Sequence, residues 1–268
     1  MMALMVLYSL TGLVFILYVF LRAPRLALAG RGLLAISALA HLCVIVLLGL
    51  KMRALPLTSL PQALNMMVLC ATLIFIPLTL RRKTIALGAF YSPAAAFILA
   101  LISPQAGLSR GVIPPSHLWY PLHTMAVILG ESMFIVATVA SAAYLIHEHL
   151  IRKGSIHAMG EDLPPLTILD KVLMHSMSTG FVAITLGMLF GGFWAAASGI
   201  ALADIAVKIF SGAMTWAVFA LGIHQRYALG WMGRRTALIT VCGFGITVVA
   251  VVLFWGMYPY TPGPGMAP

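Results

Sequence analysis

Residues 2–21 read MALMVLYSLTGLVFILYVFL, twenty consecutive residues without a charge. As a helix rising about 1.5 Å per residue, such a run crosses the ~30 Å hydrocarbon core of a bilayer. No basic segment precedes its apolar core and no A-x-A exit follows it, so it reads as a retained span rather than a cleaved signal. Seven further runs lie between charged or Pro/Gly breaks, at about 28–50, 60–80, 84–103, 118–146, 169–195, 201–223 and 236–257. They are continuous rather than alternating, which selects helices over barrel strands. Of the 268 residues, 62% are apolar and 8% charged, against about 25% charged in a soluble domain, and the mean hydropathy is +1.06. A cytosolic enzyme and a secreted scaffold are excluded. The expected fold is an all-α, polytopic transmembrane bundle of about eight spans, with 1–257 a single domain and 258–268 (YPYTPGPGMAP) a short outer tail too rich in Pro and Gly to pack.

Lys and Arg placement sets the expected orientation. Connections after spans 1, 3, 5 and 7 hold Arg22, Arg25, Arg31, Arg81, Arg82, Lys83, Arg152, Lys153, Lys171, Arg226, Arg234 and Arg235, whereas the other side holds Lys51, Arg53, Arg110 and Lys208. Both termini are therefore expected on the non-cytoplasmic side of a bacterial-type plasma membrane. The net charge of +10 meets anionic headgroups at the inner rim; no basic domain exists to bind nucleic acid. Two connections have length, an outer one at 104–117 and an inner one at 147–168. Cys43, Cys70 and Cys242 lie in apolar runs without ligand spacing and read as structural thiols.

Ionisable side chains inside spans are costly and are therefore site candidates. His41 lies in the outer half of span 2, His123 near the outer end of span 5, Glu131 two turns deeper, His175 in the inner part of span 6 and His224 at the inner end of span 7. Neutral imidazole suits iron, and haem iron takes one or two axial His nitrogens. His41 and His123 share the outer half, while His175 and His224 share an inner depth. Each also has a plainer reading: an interhelical hydrogen bond for His41 and His175, a helix cap for His224, a protonated carboxyl on a carbonyl for Glu131. Asp204 and Lys208 read as an i,i+4 pair, and His147, His149 and His157 as a solvated loop. Gly187-x-x-x-Gly191 reads as close helix packing. Trp119, Tyr120, Trp194 and Trp255 read as an outer aromatic belt.

The run WAVFALGIHQRYALGWMGRR (216–235) resembles the closing signature of the cytochrome c assembly protein family, the CcsA/CcmC-type membrane proteins that handle haem. Trp216, His224, Arg226, Gly230, Trp231, Gly233 and Arg234 match it. GFVAITLGMLFGGFWAAASG (180–199), PLHTMAVILGESMF (121–134) and LPLTSLPQALNMMVL (55–69) are similar to earlier family segments. The family's Trp-rich external core is reduced to SGIALADIAVKIF (198–210), where Lys208 falls on its Lys and Ala206 on its Asp. Its second external His is missing, with Met257, Tyr258 and Tyr260 in that neighbourhood. This pattern resembles the shorter YpjD/HemX-like branch.

The resemblance implies an integral membrane haem-handling protein assisting cytochrome c assembly, not a stand-alone enzyme. By the same resemblance it would bind non-covalent b-type haem with His123 as an outer and His224 as an inner axial ligand, and His41 and His175 stand behind as candidates to pair with His224 or to orient it. Arg226, Arg234 and Arg235 either meet haem propionates or simply hold the inner face. Implied partners are the lipid bilayer, haem, another cytochrome c biogenesis membrane protein and apocytochrome c. Two other readings remain open. One is a proton-coupled transporter using His41, Glu131 and His175; the other is a non-catalytic regulator of a haem-pathway enzyme acting through loop 147–168.

Overall fold

The structure, a computed structural model, describes residues 1–53, 55–57, 59–103, 118–154 and 163–257. The expected loop 104–117, the His157 region and the tail 258–268 lie outside the described residues, as do the side chains of Asp204, Lys208 and residues 250–257.

Among the described residues the chain forms eight α-helices and no strand: α1 (Met2–Leu21), α2 (Pro24–Met52), α3 (Leu60–Leu80), α4 (Leu87–Ile102), α5 (Trp119–Arg152), α6 (Leu166–Ala197), α7 (Leu202–Ala228) and α8 (Arg234–Met257). Five of them, α1, α2, α3, α5 and α6, are long and apolar enough to cross a bilayer, and α4 is a shorter apolar helix of 16 residues. α7 and α8 have 27 and 24 residues. The chain is thus an all-helical, multi-pass membrane bundle.

The bundle has two halves that share one helix. Tyr8, Phe15, Leu34, Phe75, Leu87 and Tyr91 form the core of α1–α4, to which α5 adds Ile135, Val136 and Val139. Phe134, Ala137 and Ala140 of the same α5 face Leu173, Met177, Ile184 and Phe219 in the second core. α5 is therefore buried on two sides and acts as the spine. Many leucines outside these cores remain exposed, as expected where lipid replaces water and close packing with interhelical hydrogen bonds holds the helices together.

Helices consecutive in the chain run antiparallel, and polar contacts tie each end. At the arginine-rich end, Arg31 of α2 donates to Thr79 O and Leu80 O of α3 at 2.9 and 3.2 Å. There Arg234 of α8 also pairs with Glu148 of α5 at 3.3 Å. At the opposite end the Tyr120 hydroxyl of α5 donates to Leu57 O ahead of α3, at 3.3 Å.

The inner connection is shorter than expected, because α5 continues through His147–Arg152. The segment reads as polar loop, yet Glu148 and Arg152 form an i,i+4 pair at 2.9 Å that supports a helix protruding past the apolar core. His147 is buried, its Nδ1 2.9 Å from Pro164 O. On a helix, His147 and His149 are two residues apart and point about 200° apart, so they do not converge on a metal.

Candidate functional site

The α5–α6 contact is built around small residues. A Cβ on Gly187 would lie 2.8 Å from Val127 Cγ2, and one on Gly191 would lie 2.7 Å from His123 Nδ1. Only hydrogen at these two positions admits α5 at this distance. The Gly-x-x-x-Gly pair therefore does pack a neighbouring helix, and what occupies its second gap is the His123 ring.

His123 Nδ1 is 2.7 Å from Gly187 O. A carbonyl only accepts, so Nδ1 carries the proton and donates, leaving Nε2 as the bare lone pair. No partner meets Nε2 among the described residues. A ligating histidine typically has this arrangement, one ring nitrogen held by a carbonyl and the other aimed at metal. The Trp194 ring lies nearly parallel to the imidazole, 6.4 Å away at 15°, and Tyr120 tilts against Trp194 at 5.1 Å. Trp119 stacks on Phe190 and leans on Phe193. The expected outer aromatic belt thus walls one histidine.

His41 is fully buried in the first half, and both its ring nitrogens are engaged. Nε2 lies 2.9 Å from Asn65 Oδ1 and Nδ1 lies 3.1 Å from the Tyr8 hydroxyl. Because Asn65 presents its oxygen, Nε2 donates to it and Tyr8 donates to Nδ1. Thr72 Oγ1 continues the chain, 2.7 Å from Tyr8 and 2.6 Å from Tyr91. The hydrogen-bonding reading of His41 describes this geometry.

His175 and His224 are exposed, on the sides of α6 and α7 turned away from the bundle. Contacts of Arg226 with Asp170 and of Gly222 with Met177 hold α6 and α7 in register, so the two histidines sit at similar depth without converging. Glu131 has no hydrogen-bond partner among the described residues. The structure brings none of the four candidate histidines together, and no hydrogen-bonded chain links His41, Glu131 and His175. Among the described residues there is no group of three or more His, Cys, Asp or Glu placed to hold a metal.

One constellation was not singled out from the sequence. Arg226 grips Asp170 with both guanidinium ends, Nη2 to Oδ2 at 2.6 Å and Nη1 to Oδ1 at 3.1 Å. The Gly233 amide donates to the same Oδ1 at 3.2 Å, and Arg226 Nη1 also reaches Trp231 O at 3.3 Å. Gly233 has φ +64 and Gly230 φ +65, the left-handed region in which glycine is favoured. Arg235 lies over the Trp231 ring at 5.2 Å. Trp216 donates from Nε1 to Thr185 Oγ1 at 3.0 Å. Most of the 216–235 signature therefore builds a clasp joining α6, α7 and α8. Arg226, one of the three arginines expected either to meet a propionate or to hold the inner face, already has its carboxylate. The sequence signal was available in Asp170, an acid one turn into a span, but its partner is 56 residues away.

These observations define a multi-pass membrane bundle with one pre-oriented imidazole at an aromatic rim. The chain belongs to the cytochrome c assembly protein family, whose model matches residues 1–257. It is 25% identical over 246 residues to a cytochrome c biogenesis protein CcsA of Guillardia theta, covering 82% of this chain and 80% of the relative. A CcsA of Synechococcus elongatus is 24% identical over 275 residues, covering 84% and 83%. A CcsA of Prochlorococcus marinus reaches 32% over 84 residues, covering 31% and 26%. No solved structure matches the chain.

Proposed function

We propose that this protein binds haem as cargo and assists cytochrome c assembly in a bacterial-type plasma membrane, with His123 as an axial ligand on the outer side. Family membership and the CcsA relatives support the process. The observation that carries the site is the 2.7 Å bond from His123 Nδ1 to Gly187 O, which fixes the tautomer that leaves Nε2 able to bind iron. Haem, when bound, would supply a Lewis-acidic iron centre and a flat apolar face. Trp194 and Tyr120 would shield that face, and Gly191 would keep the imidazole from being pushed aside.

The remaining histidines have different prospects. His224, on the outward face of α7 with His175 at similar depth on α6, would meet haem at the bundle surface. His41 would have to surrender Tyr8 or Asn65 before ligating. The second axial position at His123 would be filled from outside the described residues or by apocytochrome c or a partner membrane protein. Thioether formation would rest with such partners, the chain itself holding and presenting the haem rather than acting as a stand-alone enzyme.

The test is the Soret spectrum of the purified full chain after haem loading, compared with His123→Ala, His224→Ala and His41→Ala. We expect His123→Ala to lose most of the absorbance and added imidazole to restore part of it. Unchanged spectra across all three variants, or no absorbance in the parent, would overturn the reading.

A further inference from the structure

A cavity of about 420 Å³ opens at the end opposite the arginines, between the ends of α1, α2, α3 and α4. Its apolar wall includes Leu47, Leu48 and Pro61, and its polar wall includes Lys51, Gln62, Asn65 and Ser103. Leu47 and Lys51 are exposed and Asn65 is deep, at 4% exposure. The volume lies within the range of about 300–1,000 Å³ typical of small-molecule sites. It therefore accommodates a polar head and part of a chain.

The charged group of the polar wall and one of its deep groups both donate. Asn65 spends its oxygen on His41 Nε2, so what remains is the Nδ2 donor, which no partner meets among the described residues. Lys51 offers an ammonium group. Pro61 and Gln62 belong to the first turn of α3, whose N-terminus carries partial positive charge. An acceptor placed here meets Asn65 Nδ2 and the Lys51 ammonium together. Among the described residues no carboxylate lines the cavity.

We propose that this cavity binds the singly anionic, acceptor-only head of a bilayer amphiphile, a carboxylate or a phosphodiester, with its tail along Leu47, Leu48 and Pro61. Lys51 supplies the charge and Asn65 Nδ2 the deep hydrogen bond. The site is separate from His123 and stands or falls independently of haem. Because Asn65 also holds His41, an occupied site braces the buried chain running through Tyr8, Thr72 and Tyr91.

Native mass spectrometry of the full chain in a non-ionic detergent tests this, using oleate, dioleoylphosphatidylglycerol and the neutral methyl oleate as probes. We expect at least one anionic probe to bind at one site and methyl oleate not to bind; which anion binds tells the fatty-acid source from the phospholipid source. Lys51→Gln should weaken binding about tenfold, the value of one charge-assisted hydrogen bond. Asn65→Asp, which still accepts from His41 but offers no donor, should abolish it. Arg82→Gln, at the far end, should change nothing. Equal binding of methyl oleate, undiminished binding to Lys51→Gln, or no binding of either anion would overturn the proposal. Lys51 is exposed, so the test does not depend on Asn65→Asp folding.

Discussion

At the scale of single residues, the strongest commitments are steric. Replacing Gly191 by Ala puts a methyl 2.7 Å from His123 Nδ1, so the ring must swing and its bond to Gly187 O is lost. Gly191→Ala should retain the fold yet lose most of the haem absorbance assigned to His123, a split measurable by pairing the Soret band with the thermal midpoint. Tyr8→Phe makes the opposite kind of change. It removes the donor to a fully buried His41 and leaves Nδ1 unpaired, which costs about 1–3 kcal/mol, so the thermal midpoint in detergent should fall while haem absorbance is unaffected. His123 and the Gly187/Gly191 pair were each legible in the sequence as separate signals. That they form one unit was not, since spacing within a helix does not fix its register against another.

At the scale of elements, the lengths of the apolar runs located the helices closely. α1 and α3 coincide with the runs at 2–21 and 60–80, because a continuous apolar stretch ends where the first charge or proline meets the headgroups. The sequence reading failed where helical propensity extends past the bilayer, at His147–Arg152, where hydropathy carries no information. It also did not reveal the clasp, whose members come from three helices. Asp170 and Arg226 have side chains only 12% and 16% exposed, so removing one charge strands the other. Asp170→Asn should lower stability by about 2–3 kcal/mol. Arg226→Lys should not restore it, since a single ammonium cannot make the two-pronged contact. Chemical denaturation of the purified variants reads both. A smaller effect of the opposite sign is expected at the end of α2, where Arg53 adopts φ 51. Arg53→Gly removes the left-handed penalty of an L-residue and should gain about 1 kcal/mol.

At the scale of the whole molecule, the bundle is asymmetric in charge. Arg22, Arg25, Arg81, Arg82, Lys83, Arg152, Lys153, Arg226, Arg234 and Arg235 gather at one end, and Lys51 and Arg53 stand at the other. By the positive-inside bias the arginine-rich end is expected to face the cytoplasm and the His123 rim to face outward. In a chain whose three cysteines are changed to Ala, Arg53→Cys should react with a membrane-impermeant maleimide on intact cells, and Arg82→Cys should react only after the membrane is opened. The reverse pattern would place the His123 rim on the cytoplasmic side and overturn its assignment as an outer ligand.

The Asp170 clasp also bears on how the chain is made. The acid leaves the ribosome 56 residues before Arg226 and 63 before Gly233, so the α5–α6 hairpin enters the lipid with a carboxylate still unanswered. Truncation or cleavage anywhere between those points strands a charge at the membrane boundary. Such a fragment should be cleared faster than the full chain, which pulse–chase labelling of a chain ending at residue 225 measures. The turn leading into the final helix thus closes on an acid laid down two helices earlier.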